Sequence, residues 1–395
     1  MRHVTKKPLI KPSADCAAGK MWMNKGFSLV EIMVGMVIGL LGIIIITQIF
    51  ALAEGQKRTT TSGADAQTNG NIALYTIERD VRQAGYGLNL SALGCNTRTS
   101  INGFMATNME QGPYANGTIV LAPVIIVDGG TNAAGDALPD TLRTLYSTNL
   151  MSSLPQTLQA SHAQAATQGQ IGSTFNMANL DMVVFFETGK DCALAQVSGA
   201  PPSATTFNHN PGLNPDWNNS AIFPAAGYGT GANVFELGTM AFRRYFIDQV
   251  NNNLRIHEVT SNGSTGVVNA ITSAGEIVNL QAQYGKDSGA HAGHVAGDNI
   301  VDTWDTVTPG LVPPSGAGTN AQWQQIIAVR IAILARSGQY EKPDPVLGCT
   351  ATTTAPTWTG GTMAVPPYPN AGLPSCYRYK AFETVVPVRN VIWGM

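Results

Sequence analysis

Residues 26–53 read GFSLVEIMVGMVIGLLGIIIITQIFALA, and this stretch decides the fold. From Phe27 to Ala53 it runs for 27 residues, and Glu31 is its only charged side chain. A helix of that length spans roughly 40 Å, which exceeds the ~30 Å hydrocarbon layer of a bilayer. The stretch therefore predicts a membrane-spanning helix. A cleavable secretory signal has a shorter apolar core with its cleavage site on the far side, so we expect this helix to be kept.

The residues before this helix form a basic segment. Residues 1–26 hold six Lys or Arg side chains and one Asp. The positive-inside rule keeps such a segment in the cytoplasm and sends the rest of the chain outward. Met21 and Met23 are alternative starts, and either would shorten the segment to a few residues.

The junction between the basic segment and the helix carries a specific pattern. Lys25–Glu31 reads KGFSLVE, which places Gly, Phe and Glu at fixed offsets after a basic residue. This pattern resembles the processing signature of type IV prepilins and of type II secretion pseudopilins. The resemblance implies that a prepilin peptidase cleaves between Gly26 and Phe27. It also implies that Phe27 becomes the N-methylated amino terminus and that Glu31 acts in assembly.

The position of Glu31 supports an assembly role independently of the resemblance. A charged side chain inside a membrane helix costs about 2.5–3.5 kcal/mol on insertion scales, so one that is kept needs a partner or a function. The amine created at Phe27 lies about one helical turn away, on the same subunit or on a neighbour. The alternative is that Glu31 sits at the level of the lipid headgroups and is merely solvated.

Two glycines of the apolar stretch also fit a helix-packing pattern. Gly35 and Gly39 match the small-xxx-small spacing of packed membrane helices, and Gly42 extends it along roughly the same side. Ordinary use of glycine in a membrane helix is the alternative.

Beyond Ala53 the pattern predicts an amphipathic continuation of the helix over residues 54–87. Its apolar residues recur at helical spacing, its charged residues lie on the other faces, and two glycines mark its end. The apolar residues are Leu74, Ile77, Val81 and Ala84, the charged residues are Glu78, Arg79, Asp80 and Arg82, and the glycines are Gly85 and Gly87. Between Glu54 and Gly70, glycines and threonines are weak helix formers, so we expect a kinked or partly melted segment there.

The remaining residues, 88–395, predict a loop-rich β domain. The 395-residue chain is only 12% charged and contains 42 Gly and 22 Pro, so it is too apolar for disorder and rich in turn formers. The predicted fold class is α+β: a long N-terminal helix packed on a β-rich head. Predicted strands are Thr118–Val127, Thr141–Tyr146, Asp181–Glu187, Cys192–Val197, Met240–Ile247, Leu254–Val259, Ile277–Tyr284, Ile326–Ala335 and Glu383–Val388.

Short segments throughout the head and the helix end are similar to PilW-type minor pilins. They are residues 78–86, 140–146, 277–285, 328–337 and 385–390. The similarity implies a minor pilin that promotes initiation and assembly of a type IV pilus at the filament tip. The implied location is the bacterial inner membrane, with the head in the periplasm, and then the pilus.

The partners that this resemblance implies are the prepilin peptidase, other minor pilins, the major pilin, the inner-membrane assembly machinery and a tip adhesin. A type II secretion pseudopilin and a head that binds a surface ligand stay open as alternatives. Six of the 23 basic and one of the 25 acidic residues leave with residues 1–26, so the mature chain has a formal net charge of −7. This charge argues against nucleic acid as a partner.

The cysteines point to two disulfides in the head. Cys16 leaves with the leader, and an even number remains in a compartment that oxidises thiols. Among the three pairings we favour Cys95 with Cys192 and Cys349 with Cys376, since nearest-neighbour pairing is simplest. Unpaired buried thiols are the alternative.

No residue pattern supports catalysis, a cofactor or a metal. Neither Gly-x-Ser-x-Gly nor His-Glu-x-x-His occurs in the chain. Gly227–Gly231 lacks the frame of a phosphate loop and predicts a turn. His291 and His294, near Asp287, Asp298 and Asp302, have side chains that suit divalent ions but are more often solvated in a loop. Asp128, Asn132 and Asp136 fail the calcium-loop pattern and predict a turn-rich loop.

Overall fold

The computed structural model describes residues 26–100, 118–148, 155–212, 217–259, 269–270, 276–312, 318–369 and 372–394. In this part of the chain, a long N-terminal helix is followed by a strand-rich region. The predicted α+β architecture is thereby confirmed. The chain divides into two compact units, Met1–Lys57 and Arg58–Met395.

Helix α1 (Leu29–Gln83) is uninterrupted over its 55 residues. The expected melting between Glu54 and Gly70 is therefore wrong, whereas the expected kink stays a prediction. Extending a helix between two well-formed segments avoids the cost of nucleation, and each glycine then costs only about 1 kcal/mol. Gly70 also has a packing reason, since a Cβ at this position would lie 2.4 Å from the Phe382 ring.

The end of α1 is defined by glycines and by a side chain from the end of the sequence. Gly85 and Gly87 have φ of +83° and +76°, as the predicted helix end requires. Asn390 Nδ2 donates hydrogen bonds to the carbonyl oxygens of Gln83 at 3.1 Å and Ala84 at 3.0 Å. These bonds satisfy carbonyl groups that a helix end otherwise leaves without partners.

Nineteen strands follow within the described residues, with two short α-helices, α2 (Asn320–Gln324) and α3 (Arg389–Ile392). The strands are β1 (Asn96–Arg98), β2 (Thr118–Val120), β3 (Val124–Val127), β4 (Thr141–Tyr146), β5 (Gln156–Thr157), β6 (Gln168–Gln170), β7 (Met182–Phe186), β8 (Cys192–Gln196), β9 (Thr206–Asn208), β10 (Asn233–Gly238), β11 (Ala241–Asp248), β12 (Asn253–Val259), β13 (Asn269–Ala270), β14 (Glu276–Lys286), β15 (Thr303–Asp305), β16 (Ile326–Arg336), β17 (Thr357–Trp358), β18 (Gly361–Thr362) and β19 (Tyr379–Pro387).

The sheet that carries α1 is four-stranded, in the order β15-β14-β16-β19. Its central strand β16 is almost continuously apolar because both of its faces are covered. Alternate residues Val329, Ile331 and Ile333 share one buried cluster with the α1 residues Ile77 and Val81. Their neighbours Ala332 and Leu334 join a second cluster with Met363 and Val365.

The two other large sheets enclose the rest of the core. A five-stranded sheet has the order β13-β12-β11-β4-β3, and a six-stranded sheet has the order β2-β1-β8-β7-β10-β5. Strand β7 shows the period of two: Met182 and Val184 pack in the cluster shared with the five-stranded sheet, whereas Val183 and Phe185 pack in an aromatic cluster on the opposite face.

Most predicted strands are present, and one is divided. Residues 118–127 form β2 and β3 rather than one strand, because the chain passes here from the edge of the six-stranded sheet to the edge of the five-stranded sheet, and Pro123 between them has no N–H to donate. Strand β10, in contrast, was not predicted. Its sequence NVFELG contains Glu236, which is buried and breaks the apolar pattern.

Candidate functional site

The N-terminal apolar segment is residues 26–57, and nearly all of its residues are exposed. Gly26, Phe27 and Ser28 precede α1, and the Phe27 side chain is 78% exposed. Glu31 lies in the first turn of the helix and is also exposed. Leu29–Lys57 is long and apolar enough to cross a membrane.

One face of this segment has room for a second helix. At Gly35, Gly39 and Gly42 an added Cβ would meet no atom within 4 Å. Small residues of this kind let two membrane helices approach closely. The chain thus offers a small-residue face and a carboxylate on one apolar helix, which are the elements that the predicted assembly role requires.

A buried charge network attaches α1 to the head. Asp80 is fully buried, whereas the sequence predicted it on a polar outer face, and that prediction is wrong. Its Oδ2 accepts a hydrogen bond from Arg243 Nη1 at 2.8 Å and another from the Tyr245 hydroxyl. Arg243 in turn donates to the Tyr146 hydroxyl at 2.8 Å and pairs with Glu258 at 3.0 Å.

The pKa values in this network describe its charge state. Burial lowers the pKa of Arg243, but the hydrogen bond and charge of Asp80 outweigh burial and raise it above the usual value. Burial, followed by the negative charge of Asp80, raises the pKa of Tyr245. The Tyr245 hydroxyl therefore stays protonated and donates to the carboxylate. A carboxylate with two such donors is a satisfied buried ion pair.

The cysteines form two disulfides. Cys95 pairs with Cys192 and Cys349 pairs with Cys376, which is the pairing favoured from the sequence. The first bond joins the residue before β1 to the start of β8, two strands that lie side by side in parallel. The second closes a loop between β16 and β19.

The aromatic cluster of the head contains a histidine pair that the sequence did not reveal. His162 and His209 are buried, and their Nε2 atoms lie 2.8 Å apart. Phe185 and Phe223 pack against both rings. Burial lowers the pKa of His162 to about 4. Burial and the adjacent His162 lower the pKa of His209 to about 3, so both rings are neutral at pH 7.

The loop with His291 and His294 does not assemble a metal centre in the structure. His294 Nδ1 lies 3.4 Å from Asp298 Oδ2 and 3.5 Å from Asp302 Oδ1. The Asp287 carboxylate instead accepts backbone hydrogen bonds within the loop. Among the described residues, no group of three or more His, Cys, Asp or Glu side chains is arranged to hold a metal ion.

The two other loops that the sequence singled out are turns. Gly227 has φ of +62°, and its carbonyl accepts a hydrogen bond from Lys190 Nζ at 2.9 Å. Asn132 Oδ1 accepts from the backbone N–H groups of Ala134 and Asp136, both at 2.9 Å. Side chains that hold their own backbone in this way are a feature of turns.

Two parts of the chain match models of known protein families. Residues 23–47 match the family model described as prokaryotic N-terminal methylation motif, and residues 244–390 match the one described as type IV pilus-assembly protein W. A solved structure, a type IV-like pilin from Thermus thermophilus, is 12% identical, covers 54% of this chain and 86% of its own, and has a TM-score of 0.22. No curated protein sequence matches the chain. The two family matches confirm the resemblance drawn from the sequence.

Proposed function

We propose that this chain, a pilin with a type IV pilus-assembly protein W region, is a minor pilin that promotes initiation and assembly of a type IV pilus from the filament tip. The observation that carries this function is the exposed apolar segment with its methylation motif and with Glu31 as the one charged residue between Phe27 and Ala53. A helical segment whose exposed side chains are nearly all apolar needs the membrane first and neighbouring helices afterwards.

The size of the head supports a place at the tip. Residues 88–395 amount to 308 residues. A compact domain of that length has a radius of gyration of about 19 Å, against about 13 Å for 100 residues, so its volume is roughly three times larger. Shaft subunits repeat side by side, and heads of this size would collide there. At the tip no subunit lies above, and the helix still offers its lower surface to the next pilin.

Processing is the first step that this function requires. In cells that make the prepilin peptidase, mass spectrometry of the mature protein should find a methylated Phe27 at the N-terminus. Gly26→Val should keep the leader, since the cleavage position accepts only a small residue, whereas Ser28→Ala should be cut as before. An intact leader on the wild-type chain in such cells would refute the prepilin assignment.

Assembly by Glu31 is tested by complementing a deletion strain. Glu31→Ala should enter the membrane, because it removes an insertion cost of about 2.5–3.5 kcal/mol, but it should not restore pili. The matched control is Glu54→Ala, which changes an acid at the other end of the apolar segment and should restore them. Normal pilus number with Glu31→Ala would contradict the assembly role.

The same strains separate the two alternatives. A type II secretion pseudopilin would use the same N-terminal mechanism, but its deletion would stop secretion of folded proteins and leave pili unchanged. A head that binds a surface ligand would leave pilus number normal and reduce attachment instead.

A further inference from the structure

A pocket with a volume of about 480 Å³ lies where α1 ends and α3 begins. We call it the C-terminal pocket and define it by Arg82, Tyr86, Tyr146, Arg389 and Trp393. Arg82 and Tyr86 come from the end of α1, Tyr146 from the end of β4, and the other two from α3 and the residue after it. Nothing in the predicted processing and helix packing uses this surface.

The three segments that form the pocket are fixed to one another. Asn390 at the base of α3 donates to two carbonyl groups at the end of α1. The Ser147 N–H donates to the Tyr86 carbonyl at 2.7 Å, and the Tyr146 hydroxyl accepts from Arg243. Val391, on the opposite side of α3, is buried in the main core. The pocket is therefore preformed, and a partner would not have to order it.

The pocket presents an aromatic side chain that the fold does not cover. Trp393 is 74% exposed, although α3 is anchored in the core. A single exposed apolar residue is ordinary on a protein surface. Trp393, however, shares its concave surface with two tyrosines and two arginines. Trp, Tyr and Arg are the residue types that dominate binding energy at protein interfaces.

The charge of the pocket selects the chemistry of the partner. Within the described part of the chain, its lining contains two arginines and no acid, on a mature chain with a formal net charge of −7. Arg82 already pairs with Glu78 on the next turn of α1. Arg389 has no carboxylate within ion-pair distance among the described residues and lies over the Trp393 ring at 5.8 Å. A carboxylate beside an apolar side chain would complement both groups.

We propose that the C-terminal pocket docks an acidic segment of a neighbouring pilin subunit. A carboxylate of that segment pairs with Arg389, and an adjacent apolar side chain covers Trp393. The proposal rests on the proposed function, which supplies a second pilin as the neighbour. The same surface could only hold a small carboxylate or a lipid headgroup weakly, because neither would bury the indole ring.

The contact is tested by photo-crosslinking in cells that assemble pili. In the full-length chain, a photoreactive amino acid replaces Gln83, which lines the pocket, and leaves Trp393 and Arg389 in place. A control chain carries it at Val346, which is 89% exposed and does not line the pocket. The Gln83 chain should give one adduct with a protein that bears a prepilin methylation motif, through a peptide that contains Asp or Glu. An adduct only with lipid, or no adduct above that of the Val346 chain, would overturn the proposal.

The energetics are tested with full-length protein co-purified with its neighbour from detergent-solubilised membranes. Trp393→Ala and Arg389→Glu should each lower recovery of that neighbour at least about tenfold, whereas Val346→Ala should not. Replacing the crosslinked acid by Lys should restore recovery with Arg389→Glu. Unchanged recovery in both pocket variants, with thermal unfolding as in the wild type, would overturn the docking role.

The two proposals fail differently. If deletion of the gene leaves pilus number normal, the proposed function fails whatever the crosslinks show. If deletion abolishes pili and the pocket variants restore them fully while keeping the neighbour, only the docking role fails.

Discussion

His162 and His209 form a buried pair whose neutrality matters for the stability of the head. One Nε2 donates and the other accepts across 2.8 Å, and this bond is lost when both rings are protonated, because neither Nε2 can then accept. The folded-state pKa values of about 4 and about 3 lie below the ordinary value of 6.5. The unfolded chain therefore binds two protons that the folded chain does not, in the window between pH 6.5 and about 4. The contribution of the two histidines to the stability of the fold is complete above pH 6.5 and is lost as the pH falls.

Asp140 has the opposite effect. Burial raises its pKa from 3.8 to about 7, although its carboxylate accepts backbone hydrogen bonds from Gly129 at 2.9 Å and Ala282 at 2.8 Å. The folded chain holds a proton there between pH 3.8 and about 7 that the unfolded chain has released. This group thus stabilises the fold more as the pH falls through that window.

A double variant isolates the histidine contribution. Below pH 6.5, each histidine should lower the unfolding free energy of the wild type by about 1.4 kcal/mol per pH unit. Between pH 7.5 and pH 5.0 this amounts to about 2 kcal/mol for each histidine. His162→Gln with His209→Gln removes this loss. The unfolding free energy is measured at both pH values by chemical denaturation of the full-length protein in detergent. Its fall from pH 7.5 to pH 5.0 should be about 4 kcal/mol smaller in the double variant than in the wild type. An equal fall in the two proteins would contradict the neutral, buried pair.

At the scale of elements, the attachment of α1 to the head depends on Asp80. Removing one partner of a buried ion pair leaves the other uncompensated and costs about 3–5 kcal/mol. Asp80→Ala would leave Glu258 as the one carboxylate paired with Arg243 in this network, and the Tyr245 hydroxyl would lose its acceptor. We expect a loss of about 3 kcal/mol and a fall in Tm of about 5–10 °C.

The matched control is Asp65→Ala, which changes an exposed acid earlier on the same helix. It should shift the unfolding free energy by no more than about 0.5 kcal/mol. Near-UV circular dichroism of the two full-length variants in detergent measures the difference. Identical melting temperatures for the two variants would show that Asp80 does not anchor the helix.

The helix and several long strands were predictable because each carries a regular pattern. The spacing of Ile77, Val81 and Ala84 indicates the face that is buried, and β4 occupies the predicted residues Thr141–Tyr146. Asp80 was placed wrongly because a helical pattern ranks faces by polarity and contains no information about Arg243, which follows it by 163 residues. Only tertiary contact decides that this polar face is covered.

The candidate site was predictable in part for the same reason. Gly26, Phe27 and Glu31 lie within six consecutive residues at fixed offsets, so one stretch of sequence contains the whole signal. The C-terminal pocket joins segments near residues 82, 146 and 389, and none of these segments is unusual by itself. Likewise, His162 and His209 meet only because both lie against Phe185 in the folded head.

At the scale of the whole molecule, an open apolar helix and a large head serve different needs. Under the proposed function, the helix packs with other subunits, whereas a head of residues 88–395 would collide with its copies along a shaft. Loops of a head at a filament end would also be free to meet a partner. A rare subunit at the tip accommodates both features.

Quantitative mass spectrometry of sheared, purified pili tests this account most directly. The amount of this protein is measured relative to the major pilin in the same sample. The account predicts that it is present, that its first residue is Phe27, and that its abundance is far below that of the major pilin. Near-equal amounts of the two proteins would contradict the tip placement, and complete absence from pili would contradict the pilin role.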